Sequence, residues 1–143
     1  MPEKADKLLA WDRERRIVLD ELIRILGVAD IDMDSRPEEF LPYLERFVFD
    51  LDYQNMTDDD WLWFHNSLAS YVAQVLIVRY HPTWDLVTDE RGENYLLVVR
   101  GRDGADRAVS PMDVVHEDFE KSIPPDVMRM LAAAEFAIGV PWH

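Results

Sequence analysis

The chain has 143 residues, of which 48% are hydrophobic and 31% charged, a balance typical of one folded domain rather than of a disordered chain. Its formal net charge of −14 disfavours direct binding to DNA or RNA, because like charges repel the phosphates. The absence of cysteine excludes disulfides and is typical of the reducing cytoplasm. The charged N-terminus lacks a signal-peptide core, and no apolar run approaches the ~20 residues of a membrane span.

The first part of the chain predicts three helices. Apolar residues recur at helical spacing over 5–27, with Leu8, Trp11, Val18, Leu22, Ile25 and Leu26 facing inward. Pro37 and the two glutamates after it suit the first turn of a second helix over 37–52. Thr57 precedes three aspartates, an N-cap pattern that begins a third helix over 58–79. This helix is apolar on more than one side, so we expect it to be the central helix.

Beyond His81 the apolar period changes from that of helices to that of strands. Segments 83–88, 94–100 and 106–109 predict a three-stranded antiparallel meander, with Gly in each connecting turn. A Pro-initiated helix over 111–120 and a last helix to Ile138 follow. The order ααα-βββ-αα predicts an α+β fold with helices on one face of the sheet. We expect a single domain over 1–143, made of a helical acidic part (5–79), the meander (83–109) and the C-terminal helices (111–138).

Acidic charge is concentrated between residues 30 and 60, where eleven of the 29 carboxylates accompany only two arginines. Aromatic residues are interleaved with these acids. Aromatic side chains exposed beside carboxylates are typical of protein-binding hot spots, where a ring fills a pocket and the acids meet Arg or Lys. Phe49 is one aromatic residue that lies off the core spacing. The predicted partner-binding residues are Tyr43, Asp50, Asp52, Tyr53, Asp58, Asp59, Asp60 and Trp63.

No group of residues carries a catalytic or metal-binding signature. Asp30, Asp32 and Asp34 resemble the start of a calcium loop, but Ser35 and Leu41 stand where that loop needs Gly and Glu. No Gly-x-Ser-x-Gly elbow or Gly-rich phosphate loop occurs. The sequence therefore predicts no catalytic residues, no metal and no cofactor. The histidines include no helical i, i+4 pair and are His65, His81, His116 and His143.

One part of the chain resembles a known class of protein. The features that carry the resemblance are segment 68–76, Trp84, segment 93–99, Ser110-Pro111 and Val114-Val115. Together they resemble small bacterial α+β proteins of the toxin-immunity type, in which a central helix ends shortly before a tryptophan-led hairpin and a Pro-initiated helix. The resemblance covers residues 61–116 and implies no catalytic residues. The acidic segment lies outside it, and Ala73-Gln74 stands where Gly-Glu is expected.

These observations favour a cytoplasmic, non-enzymatic inhibitor of the immunity type, which neutralises a basic toxin or enzyme by covering its site with an acidic and aromatic surface. The expected partner is a basic protein, such as a cognate toxin, with no nucleic acid or membrane bound directly; the oligomeric state is left open. One alternative is a nucleic-acid mimic or regulatory adaptor. Another is a small ligand-binding protein or enzyme with a pocket between the meander and the third helix, around His65, Tyr71, Trp84 and Tyr95.

Overall fold

The computed structural model describes residues 2–101 and 103–139, so His143 and Arg102 lie outside it. It confirms the α+β class and the order ααα-βββ-αα. Two short 3-10 turns, Pro37–Phe40 and Tyr53–Asn55, flank the second helix. The elements are α1 (Pro2–Leu26), α2 (Leu41–Asp50), α3 (Asp58–Tyr80), β1 (Thr83–Asp89), β2 (Gly92–Arg100), β3 (Asp106–Val109), α4 (Pro111–Lys121) and α5 (Val127–Ala137).

Helix α3 is the central helix, as its composition predicts. Residues 67–76 are all buried, because a helix that is apolar all round needs neighbours on several sides. Those neighbours are α1, α4, α5 and the Pro37–Phe40 turn. A capping box fixes the start of α3: the Thr57 hydroxyl accepts a bond from the Asp60 amide, and the Asp60 carboxylate accepts one from the Thr57 amide.

The three strands form an antiparallel sheet in the order β1-β2-β3. Trp84, Leu97 and Val109 pair in one row across it, and the last two of these side chains are buried against the helices. The neighbouring row, Thr83, Val98 and Ala108, points to the opposite face and is more exposed. The helices therefore cover one face of the sheet.

Buried polar bonds join α1 to the rest of the core. Arg15 is only 7% exposed and donates to Oε1 of Gln74 at 2.6 Å. Gln74 Nε2 in turn donates to the carbonyl of Met33 at 2.7 Å. Asp12 accepts bonds from Arg15 Nε and from the Trp84 indole, both at 2.9 Å. Because buried polar groups need partners, these bonds fix how α1 lies against α3 and β1.

Two local expectations need correction. Residues 37–40 form a 3-10 turn rather than the first turn of α2, because Pro42 has no amide to continue helical bonding at that point. Ile25 is 48% exposed rather than inward, since the buried side of α1 runs through Leu19, Leu22 and Ile23. Within residues 2–101 and 103–139, no helix combines the length and the apolar character that a membrane crossing requires.

Candidate functional site

The acidic segment folds into α2, the Tyr53–Asn55 turn and the first turn of α3. Buried Leu44 and Val48 hold α2 to the core and leave its polar side outward. Of the predicted binding residues, all but Tyr53 and Trp63 are exposed. We define the acidic surface as Tyr43, Asp50, Asp52, Asp58, Asp59, Asp60 and Trp63.

A groove of about 300 Å³ lies within this surface, between the Tyr53–Asn55 turn and the start of α3. The Phe64 side chain at the groove is fully buried. Those of Leu51, Met56 and Trp63 are half-buried, whereas Asp52 and Asp60 are exposed. The groove therefore has apolar walls and an acidic rim. It unites three of the predicted residues, Asp52, Asp60 and Trp63. Its full lining is Leu51, Asp52, Asn55, Met56, Asp60, Trp63 and Phe64.

Both rim carboxylates are oriented by neighbours. Asp52 Oδ2 accepts a bond from Asn55 Nδ2 at 2.5 Å, and Asp60 Oδ2 accepts one from the Thr57 amide at 2.9 Å. Within the described part of the chain, neither Oδ1 atom accepts a hydrogen bond from another residue. Each carboxylate therefore keeps one oxygen for a donor from outside.

The position of the Trp63 indole is supported by an aromatic contact with α2. The indole packs edge-on against Phe47 of α2, with ring centroids 6.3 Å apart and planes at 79°. Trp63 is half-buried, so part of the ring still faces the groove. A ring fixed in this way loses little conformational freedom when it contacts a partner.

Tyr53 is a packing residue rather than an exposed anchor. Its hydroxyl donates to the Val48 carbonyl at 2.5 Å, and its ring lies 6.0 Å from those of Trp61 and Phe64. Burial raises its pKa to about 12. The 3-10 turn after α2 rotates this side chain inward, and the sequence pattern carried no signal for that turn.

Two other members of the acidic surface lie on α2. Tyr43 is 52% exposed, and Asp50 lies 3.9 Å from Arg46 one helical turn away. An exposed ion pair of that length contributes little to stability, so Asp50 could exchange Arg46 for another cationic group at little cost in free energy. Asp58 and Asp59 occupy the first turn of α3, where the helix dipole favours negative charge.

The four residues proposed to line a pocket between the meander and α3 lie in separate environments. Tyr71 is fully buried, and its hydroxyl donates to the backbone of the turn before α2 at 3.0 Å. His65 stacks on a phenylalanine of α4 at 4.2 Å. Trp84 and Tyr95 instead meet at the indole of Trp11. Among the described residues, the contacts of these four side chains therefore mark three separate environments rather than one.

The aspartates that resemble a calcium loop form a self-contained turn. Asp32 accepts bonds from the Ser35 hydroxyl and the Asp34 amide, and these lower its pKa, the hydroxyl most. Asp34 pairs with Arg16 of α1 at 2.7 Å. Among residues 2–101 and 103–139, no three His, Asp or Glu side chains are grouped closely enough to hold a metal ion.

A second groove, of about 340 Å³, was not predicted. It lies between α2 and the α4–α5 connection, and Phe49, which is 76% exposed, lines it. On its far side Arg129 binds buried Asp118 through two bonds of 2.5 and 3.0 Å. The sequence pattern offered no signal for this pair, because its members lie on different helices.

Comparisons with protein-family models, with curated proteins and with solved structures find no match for this chain.

Proposed function

We propose that this protein is a non-enzymatic inhibitor of the immunity type, which acts in the cytoplasm and neutralises a basic toxin or enzyme by covering its site. The observation that carries the proposal is the groove, where Asp52 and Asp60 flank the fixed ring of Trp63. It lies in the segment with eleven carboxylates and two arginines. Carboxylates beside an aromatic ring that is fixed in place are typical of surfaces that bind Arg and Lys side chains.

The mechanism begins with long-range attraction. The concentrated negative charge draws a basic partner toward the acidic surface and raises the rate of encounter. Trp63 and Tyr43 then supply apolar contact area, while the carboxylates take the place of substrate phosphates against the partner's Arg and Lys. Tyr53 contributes indirectly, because it holds the turn that carries Asp52.

Capture from the native host tests this proposal. The tagged protein is recovered at low and at moderate salt beside two variants of equal net charge, Asp58→Lys/Asp59→Lys on the acidic surface and Glu21→Lys/Glu90→Lys on α1 and the β1–β2 turn. Circular dichroism verifies that each variant is folded. We expect one stoichiometric basic protein, retained by the control pair and lost by the acidic-surface pair.

Two other results would contradict the proposal. Equal capture by both variants would place the contact elsewhere on the molecule. Many different basic proteins, displaced together by generic DNA, would identify a nucleic-acid mimic instead of a single-partner inhibitor.

A further inference from the structure

We propose that the groove between the Tyr53–Asn55 turn and α3 receives one arginine side chain of the partner. This inference rests on the proposed function and adds a specific recognition element to it. The occupant is a basic residue because the rim carries two carboxylates and, among the lining residues, no basic group. It is a long side chain because the walls are apolar along the groove.

The apolar walls suit the aliphatic part of arginine. Leu51 and Met56 are half-buried and pack against the core, and they line the groove together with the two carboxylates. Arginine covers apolar surface with its methylene groups while its charged end stays near water. A shorter basic side chain would leave these apolar walls exposed to water, so its binding would bury less apolar surface.

The rim suits a guanidinium better than an ammonium. A guanidinium is planar and weakly hydrated, so it stacks on an indole such as that of Trp63. Its N–H groups form a fixed fork that reaches more than one acceptor, and the Oδ1 atoms of Asp52 and Asp60 are available. The ammonium group of lysine is compact and strongly hydrated, so it interacts less favourably with the flat indole ring.

The groove is organised before the ligand arrives. Phe47 packs on Trp63, Asn55 orients Asp52, and the capping box orients Asp60. Each of these contacts is made by the chain itself. Binding therefore spends little free energy on ordering the site, which favours recognition of a single side chain.

A peptide titration followed by NMR tests the inference without the partner. The probes are three blocked tripeptides, Gly-Arg-Gly, Gly-Lys-Gly and Gly-Leu-Gly, at about 150 mM NaCl, where weak surface attraction is screened. We expect saturable shifts of the Trp63 indole N–H and the Met56 methyl with the arginine peptide, at a Kd of about 1 mM or above, as suits so small a ligand. The lysine peptide should bind at least about threefold more weakly, and the leucine peptide should cause no saturable shift.

Matched variants separate the groove from general negative charge. Asp52→Asn/Asp60→Asn keeps the shape of both side chains, and we expect it to weaken the arginine peptide about tenfold. Asp58→Asn/Asp59→Asn removes the same charge outside the groove and should weaken it less than about twofold. Equal effects of the two pairs, equal binding of the arginine and lysine peptides, or shifts outside the groove would overturn the inference.

The two proposals fail in different ways. If the arginine peptide binds in the groove but the host yields no basic partner, the recognition element stands and the inhibitor function falls. If a partner is captured through Asp58 and Asp59 while the peptide ignores the groove, the inhibitor function stands and the arginine site falls.

Discussion

At the scale of single residues, some acidic side chains are buried and stabilise the fold, whereas others are exposed on the acidic surface. Asp118 is 3% exposed and accepts bonds from Arg129 and from the Asp126 amide, the latter at 2.7 Å. A buried charge without partners is costly, so these bonds make Asp118 a support for the α4–α5 connection. Asp50 and Asp59 are instead exposed on the acidic surface.

Replacing Asp118 by Asn tests this division. The amide keeps the side-chain shape but loses the charge that meets Arg129, so we expect the free energy of unfolding to fall by about 2–4 kcal/mol. Asp50→Asn is the matched control, since it removes only the exposed pair with Arg46 and should cost less than about 1 kcal/mol. Urea denaturation measures both, and similar losses would contradict the assignment.

Buried tyrosines make the fold sensitive to alkali. Burial raises the pKa of Tyr53 to about 12, and that of buried Tyr71 is raised as well. In the unfolded chain a tyrosine ionises near pH 10, whereas the folded protein keeps these protons, so ionisation favours unfolding as pH rises. The contribution is fully present below pH ~10 and is lost between pH ~10 and ~12.

Urea denaturation at several pH values checks this prediction for Tyr53. We expect stability to decline through that window, and Tyr53→Phe to make the decline shallower because one of the titrating groups is gone. An equally steep decline in the variant, or full ionisation of all five tyrosines near pH 10 with the fold intact, would contradict it.

At the scale of elements, the start of α3 determines the shape of the groove. The capping box fixes Asp60, and the bond from Tyr53 to Val48 anchors the turn that carries Asp52 to the end of α2. The two sides of the groove therefore depend on separate local contacts. Disturbing either contact should change binding as well as stability.

The cap can be removed while the carboxylates stay in place. Thr57→Ala deletes the acceptor for the Asp60 amide, and we expect it to lower stability by about 1 kcal/mol. Thr57→Ser keeps an equivalent hydroxyl and should remain close to the parent protein. Urea denaturation compares the variants, and amide exchange at Asp60 and Trp61 reports fraying of the first turn. Equal stability of the Ala and Ser variants would show that the hydroxyl has no capping role.

Elements whose signals are local were predictable from the sequence. The cap at Thr57, the apolar character of α3 on more than one side and the turn that ends at Gly92 each depend on residues close together in the chain. The pairing of Arg15 with Gln74 depends on residues 59 positions apart, and periodicity does not reveal which buried polar groups will meet. The inward orientation of the Tyr53 side chain was not predictable for a related reason, since a short 3-10 turn determines it.

The groove was predictable only in part. Asp52, Asp60 and Trp63 were identified by composition, as acids beside an aromatic residue off the core spacing. Their convergence was not, because it requires α2 to end at Asp50 and the chain to reverse through the Tyr53–Asn55 turn. The partners that orient these side chains, such as Asn55, carry no distinctive pattern of their own.

At the scale of the whole molecule, charge and scaffold belong to different parts of the chain. Helix α1 carries six acids and six bases and is close to neutral, whereas residues 30–60 carry most of the net charge. The segment 61–116 supplies most of α3, the whole sheet and the first half of α4. Most of the acidic surface precedes it. The negative charge of the surface therefore comes mainly from residues outside the segment that supplies the sheet and most of α3.

The rate of association with the captured partner, measured from about 50 to about 500 mM NaCl, tests whether the acidic surface attracts that partner electrostatically. For the parent protein and for Glu21→Lys/Glu90→Lys we expect the rate to fall at least about tenfold over that range, because attraction by the acidic surface is screened. Asp58→Lys/Asp59→Lys should associate more slowly at low salt and depend less on salt. Rates that are equal for all three proteins and insensitive to salt would contradict electrostatic docking through the acidic surface.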